Sequence, residues 1–248
     1  MTELTAMEAA ARIAVPIRDA GGKWMLHPET LGPCKDAGYP NGFVYYGLGR
    51  GGVLGDVDAD VVTAAFGFFA PELVRGIWES GVGVEGPRNS ARRYGQACAA
   101  FGRARLGDWA GARRFGDLAA KVVAAAPLPG MSLFAAWKHE PVPVDDAGRA
   151  YFYTHILREW RGSAHVVAVA SSGLSAHEAI VAGPGNEEQA KFFGWTEPLG
   201  DVSHLAGKRN AAEQHTDELC AATLDKALTA TERGELATLV DELFAAIV

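Results

Sequence analysis

At 248 residues, 48% of them hydrophobic and 21% charged, the chain has material for a sizeable core under a polar surface, which excludes disorder as its basic state. Its formal net charge of -7 argues against nucleic acid as the partner, because that binding draws its affinity from Lys and Arg on phosphates. Cys34, Cys98 and Cys220 form no paired or metal-ligand spacing, and no apolar run nears the roughly 20 residues that a membrane-crossing helix needs.

The start, Met1-Thr2-Glu3-Leu4, lacks the basic and apolar pattern of a secretory leader, so the expected location is the cytoplasm. Residues 6–18 carry a short helical pattern. The stretch from Gly21 to Gly55 is rich in Gly and Pro and holds the aromatic run Phe43-Val44-Tyr45-Tyr46. Gly47-Leu48-Gly49-Arg50-Gly51-Gly52 spells G-x-G-x-x-G, but no strand–helix rhythm surrounds it, so a dinucleotide fingerprint is rejected. A loop is expected there, with Arg50 available to grip an anion.

Acidic residues at 56–60 precede a helical run to Phe66, and Ala70-Pro71-Glu72 opens another helix with proline in its first turn. Joined by Phe68-Phe69-Ala70, the two make a helix-turn-helix-like pair. Longer helices are predicted over 89–104 and 109–126. Arg92, Arg93, Arg103, Arg105, Arg113 and Arg114 crowd that region as a candidate basic patch. Breaks at 127–130 and 140–144 place a domain boundary near the second, giving halves 1–140 and 141–248. Strands are expected nowhere except as a small ribbon at 43–46 or 195–203.

The segment 151–165 is the most informative. On one helix, at about 100° per residue, His155, Arg158, Glu159, Gly162 and His165 fall within an arc of roughly 120°, while Tyr153, Ile156, Leu157 and Trp160 take the apolar side. The helix then runs into Val166-Val167-Ala168-Val169-Ala170, apolar all round, which predicts burial on several sides. Ionisable groups are costly to bury unless paired and gather where a ligand or reaction needs them. Gly162 leaves room in the polar face for a ligand or a crossing helix. Glu159 and His165 are the candidate proton-transfer pair and Arg158 the anion-stabilising group. The competing readings are a paired structural network, or a chain break at Gly162-Ser163 that separates His165 from the rest.

His155 and Glu159 stand one turn apart and could share a metal with His165 or His177, and a lone imidazole could ligate haem. No HExxH, HxH or CxxCH spacing supports either, so no metal ligand is assigned and the cofactor stays unknown. Ser175-Ala176-His177-Glu178 and Thr229-Ala230-Thr231-Glu232 read as capping boxes. A long helix over 205–228 followed by a closing helix is similar to the dimerising tail of MarR-type winged-helix regulators, which makes a homodimer a candidate assembly.

Gly49-Arg50 through Val74, Leu157-Arg158-Glu159-Trp160-Arg161-Gly162-Ser163-Ala164-His165, and Gly173-Leu174 with His177-Glu178-Ala179 and Phe193-Gly194-Trp195 are three distinctive segments. Together they resemble a family of uncharacterised actinobacterial proteins, EvbL-like or helix-turn-helix-fold proteins, some encoded among antibiotic-biosynthesis genes. Trp160 departs from that pattern where a His is usual, and Ser163-Ala164 where Asp-Gly is usual. The resemblance implies two winged-helix-like helical halves and brings no settled activity.

The expectation is a mainly α protein of two winged-helix or helix-turn-helix-like halves with long C-terminal helices. Where the halves meet, Arg158, Glu159 and His165, with His155, Arg50 and His177, bind a polar or anionic small molecule, as in an enzyme of secondary metabolism. Tyr45, Trp160 and Phe69 are expected as aromatic walls. The alternatives are a winged-helix transcriptional regulator and a metal- or haem-dependent enzyme.

Overall fold

The computed structural model describes residues 2–184 and 186–248. Among them the regular structure is entirely helical. The first half contains α1 (Ala6–Gly22), α2 (Pro28–Leu31), α3 (Gly42–Gly51), α4 (Ala59–Phe66), α5 (Pro71–Glu85), α6 (Pro87–Leu106), α7 (Ala112–Ala125) and α8 (Ser132–Trp137). The second contains α9 (Asp146–Ser171), α10 (Ala176–Val181), α11 (Asn186–Phe192), α12 (Ala206–Ala227) and α13 (Ala230–Ile247). No strand occurs among the described residues: 43–46 lies inside α3, and 195–202 is irregular, followed by a 3-10 turn at Ser203–Leu205.

Local chemistry sets many of the boundaries. Asp145 caps α9 by accepting from the Gly148 amide at 2.8 Å, and the capping boxes at Ser175–Glu178 and Thr229–Glu232 both form. A third, Thr5–Glu8, opens α1. Pro71 opens α5 as expected. The loop expected at 47–52 is instead mostly helix, because Asn41 caps α3 through the Phe43 and Val44 amides. Its glycines serve packing: a side chain on Gly49 would run into the Tyr94 ring of α6.

α9 is the axis of the molecule. Its 26 residues span about 39 Å, and it packs against α1, α6, α7, α8 and α12. Gly102 admits Tyr151 between α6 and α9, and Gly21 admits the Arg158 stem between α1 and α9, where an added Cβ would sit 2.8 Å from Arg158 Cβ. One hydrophobic core takes in Phe115, Phe134 and Trp137 from the first half with Tyr151, Leu157, Leu224 and Leu243 from the second. The C-terminal pair α12–α13 packs on α1 and α7, so Leu236, Val240 and Leu243 are buried within this chain.

The apolar turn at 166–170 is less buried than its composition predicts: Val166 and Val167 are half-buried and Ala170 is exposed. The reason is position. α9 outruns the main core at this end and rests on a small second cluster of Val169, Leu174, Ala179, Leu205 and Ala212, with Phe68 against it. The complete burial falls earlier, at Ala150, Tyr151, His155, Leu157 and Glu159.

Candidate functional site

A cavity of about 620 Å³ opens between the two halves. Its walls come from the end of α1, from α3, from the turn after α4, from residues 158–166 of α9, from α10–α11 and from α12. α9 is unbroken through Gly162-Ser163, so the polar groups on either side of the glycine share one rigid scaffold. Nothing lies within 4 Å of where a Gly162 side chain would begin, which rules out the crossing helix as the reason for this glycine.

At one end of the cavity Glu159 joins two guanidiniums. Arg50 of α3 donates Nε to Oε1 at 3.0 Å and Nη2 to Oε2 at 2.9 Å, a bidentate pair. Arg158 donates Nη1 to Oε1 at 2.8 Å, and Arg50 Nη1 reaches the Tyr46 hydroxyl at 3.2 Å. Glu159 is 1% exposed, yet it stays ionised: burial pushes its carboxyl up, but Arg50 and Arg158 outweigh burial and bring it down to about 2. Burial opposes the charge on Arg50, and Glu159 outweighs it, so the guanidinium is held firmly protonated. Two cations on one carboxylate leave an excess positive charge beneath the cavity. Arg158 is the member that reaches outward, with its side chain 25% exposed.

About two turns along the same helix stands His165. Its Nδ1 is 2.9 Å from the Thr216 hydroxyl, which itself donates to the Ala212 carbonyl at 2.7 Å. Thr216 has a single proton, so His165 must be the donor in that pair, and its other nitrogen, Nε2, is left as an acceptor. Burial lowers the imidazole to about 4, with Arg209 and Arg161 adding to the effect and Glu213 opposing it. His165 is therefore neutral at pH 7. Phe68 stacks on it at 5.5 Å, and Glu213 Oε1 lies 3.8 Å from Nε2. Arg209 at 2.7 Å and Arg161 at 3.2 Å hold Glu213.

Of the residues expected at the site, Arg50, Phe69, Arg158, Glu159 and His165 line the cavity. Glu159 and His165 are not joined to each other. Glu159 binds arginines and His165 binds Thr216, because six helical residues set the two side chains about 120° apart. His155 stands behind the site, fully buried between Trp24 and Trp137 with both ring nitrogens unpartnered. Burial depresses it to about 3, and its Nδ1 is 4.0 Å from Glu159 Oε1. Tyr45 packs between Tyr39 and Tyr94 in the core, and the neighbouring Tyr46 takes the wall position. Trp160 is buried away from the cavity. His177 stacks on Trp195 at 4.8 Å outside it. Neither His165 nor His177 joins His155 and Glu159, and no group of three potential metal ligands occurs among the described residues.

Several wall residues escaped the sequence reading: Tyr46, Phe68, Arg161, Arg209 and Glu213. Arg209 and Glu213 form an ordinary i,i+4 pair, which in sequence looks like any solvated helix face. The segments carrying the family resemblance nevertheless converge here. Phe193 accepts from the Ala70 amide at 2.8 Å and Trp195 Nε1 donates to the Phe68 carbonyl at 2.9 Å, fastening the third segment to the first beside α9. Gly194, at φ +89°, permits that closeness, since an added Cβ would lie 2.7 Å from Leu73 Cβ.

Five of the six arginines of the candidate basic patch stand in ion pairs, and Arg92 hydrogen-bonds Asn89 instead. Arg93 binds Glu85, Arg103 binds Asp145, Arg105 binds Glu29, Arg113 binds Asp146 and Arg114 binds Glu235. α5, second helix of the helix-turn-helix-like pair, carries Glu72, Glu79 and Glu85 against one base, Arg75, which itself pairs with Asp60. No helix of the described residues is long and apolar enough to cross a membrane.

Residues 19–248 match the model of a family described as a helix-turn-helix family. No curated protein and no solved structure matches the chain.

Proposed function

Since the chain belongs to this helix-turn-helix family, we propose that it binds a small anionic molecule in the cavity between its halves, 1–140 and 141–248. One observation carries this. A chain of net charge -7 lines the cavity with six cationic side chains, Arg18, Lys23, Arg50, Arg158, Arg161 and Arg209, against the carboxylates Glu159 and Glu213. Asp19 and Asp217 offset Arg18 and Arg161 from outside, but Lys23 and the Arg50–Glu159–Arg158 group keep a positive excess. A cavity of one sign walled by low-dielectric groups focuses its field on a ligand of the other sign.

Arg158 is the anion contact. Arg50 and Glu159 hold it in place, Phe69 supplies an apolar wall, and His165 offers a hydrogen-bond acceptor. His155 stands behind Glu159, while Tyr45, Trp160 and His177 lie outside the cavity. If the ligand is transformed, His165 is the proton acceptor, since Glu159 is committed to its arginines. The EvbL-like actinobacterial assignment, with a place in secondary metabolism and in the cytoplasm, belongs to the same proposal. Native mass spectrometry of protein purified from its own host tests it. A retained acidic molecule that Arg158→Ala releases supports binding, and a wild-type protein that holds no anion even at millimolar concentration removes it.

The family match and the α4–α5 pair are compatible with a second reading, a DNA-binding regulator. Against it stand the acidic α5 and the ion pairs that hold Arg93, Arg103, Arg105, Arg113 and Arg114. A gel shift on random duplex at low salt decides: submicromolar binding that weakens steeply with salt would establish the regulator.

A further inference from the structure

Resting on the binding reading above, we propose that the ligand is an elongated amphipathic carboxylic acid lying along α9 across Gly162, its carboxylate on Arg158 and a terminal hydroxyl or N–H on His165 Nε2. Arg158 and His165 are seven residues apart, which places them about 20° apart around the helix and roughly 10 Å apart along it. Gly162 lies between them on the same flank. A glycine inside a helix lowers its stability relative to alanine. Here neither backbone conformation nor a packed neighbour asks for one, as φ is ordinary and, beyond the glycine's own stretch of helix backbone, nothing stands within 4 Å of the missing Cβ. The bare backbone is the floor of the cavity.

The two ends ask for different chemistry. At the Arg158 end, two guanidiniums share one carboxylate, and one further monoanion balances the group. At the other end, the relay from His165 Nδ1 through Thr216 to the Ala212 carbonyl leaves Nε2 without a hydrogen bond and with only a lone pair to offer. The ligand must bring the proton there. Between the ends Phe66, Phe68 and Phe69 provide apolar, aromatic walls, which suit a ring or a short hydrocarbon body.

The probes are 4-(4-hydroxyphenyl)butanoate, its analogue without the hydroxyl, 4-phenylbutanoate, and the uncharged methyl ester of the first, measured by isothermal titration calorimetry on the full chain. The hydroxy acid is expected to bind best, roughly fivefold tighter than 4-phenylbutanoate, and roughly tenfold or more tighter than the ester. His165→Phe should erase the difference between the two acids. Gly162→Phe should abolish binding of both, with Gly162→Ala, which the fold accommodates, weakening them and circular dichroism showing both variants helical. Equal affinity for the two acids, or acid binding untouched by Gly162→Phe, overturns this placement. So does failure of all three probes to bind. In each of those cases the broader anion-binding reading still stands if Arg158→Ala releases the molecule retained from the host, and falls if it does not.

Discussion

Arg50 and Glu159, 109 residues apart in the chain, meet in a bidentate pair that joins α3 of the first half to α9 of the second. The pair is nearly dry: their side chains are 9% and 1% exposed. Burial of this kind makes the consequences of losing either partner unequal to those of losing Arg158.

Arg50→Ala leaves the buried Glu159 carboxylate with Arg158 alone, and removing one partner of a buried pair costs about 3–5 kcal/mol. Arg158→Ala leaves the bidentate pair intact and removes one partly exposed contact, at about 1 kcal/mol or less. Urea unfolding of the two variants measures the difference. Equal losses would mean that Arg158 is as much a structural partner of Glu159 as Arg50 is.

Stability should fall as the pH drops from about 6.5. His165 and His155 are depressed by burial to about 4 and about 3, so below 6.5 the unfolded chain takes up protons that the folded chain refuses. Their contribution is complete above 6.5 and is lost as the pH falls through the folded values. For His165 it amounts to about 3 kcal/mol. Glu159, held down to about 2, adds a loss of the same sign as the pH falls below its ordinary value of 4.5. His165→Phe should flatten the stability profile between pH 4 and 6.5, and an unchanged slope there would contradict the buried neutral imidazole.

Gly162→Ala and Gly49→Ala separate a glycine kept open for a ligand from one required by packing. At 162 nothing is in the way, and the helix should gain about 0.5–1 kcal/mol. At 49 the new methyl meets the Tyr94 ring, and overpacking should cost about 1–3 kcal/mol. Thermal unfolding reads both signs. A loss at 162 would show that the fold itself needs the glycine.

Trp195→Phe keeps an aromatic ring beside His177 but removes the hydrogen bond from Nε1 to the Phe68 carbonyl. α10 otherwise rests through Ala179 on the small second cluster rather than on the main core, and α11 packs on α10. Hydrogen exchange in residues 176–195 should quicken roughly tenfold, the equivalent of about 1.4 kcal/mol, with exchange in the middle of α9 unchanged. Uniform change along the chain would deny that this segment opens independently.

Sequence determined the helices, because their signals are local. Asp145, Ser175, Thr229 and Pro71 mark helix starts through contacts made within one turn. The 100° periodicity likewise brought Arg158, Gly162 and His165 onto one flank before any packing was known. Where the backbone was ambiguous, local reading failed: the glycines of 47–52 looked like a loop, and only the close approach of Ile77 to Gly47, Tyr94 to Gly49 and the Pro87 carbonyl to Gly52 explains them in helical backbone.

Tertiary structure decided the partners. Tyr45 and Tyr46 are adjacent and alike, yet one faces the core and the other the cavity, a choice set by how α3 meets α6 and α9. His155 and Glu159 sit one turn apart, but only the carboxylate has an arginine to pair with, so one is neutral and the other charged. Thr216, Arg209 and Glu213 reach His165 across about 50 residues of intervening chain, a distance over which no periodicity speaks. Short-range hydrogen bonds and helical phase are written in neighbouring residues. Desolvation and charge pairing depend on which elements come to lie against one another, and that is settled only when the whole chain packs.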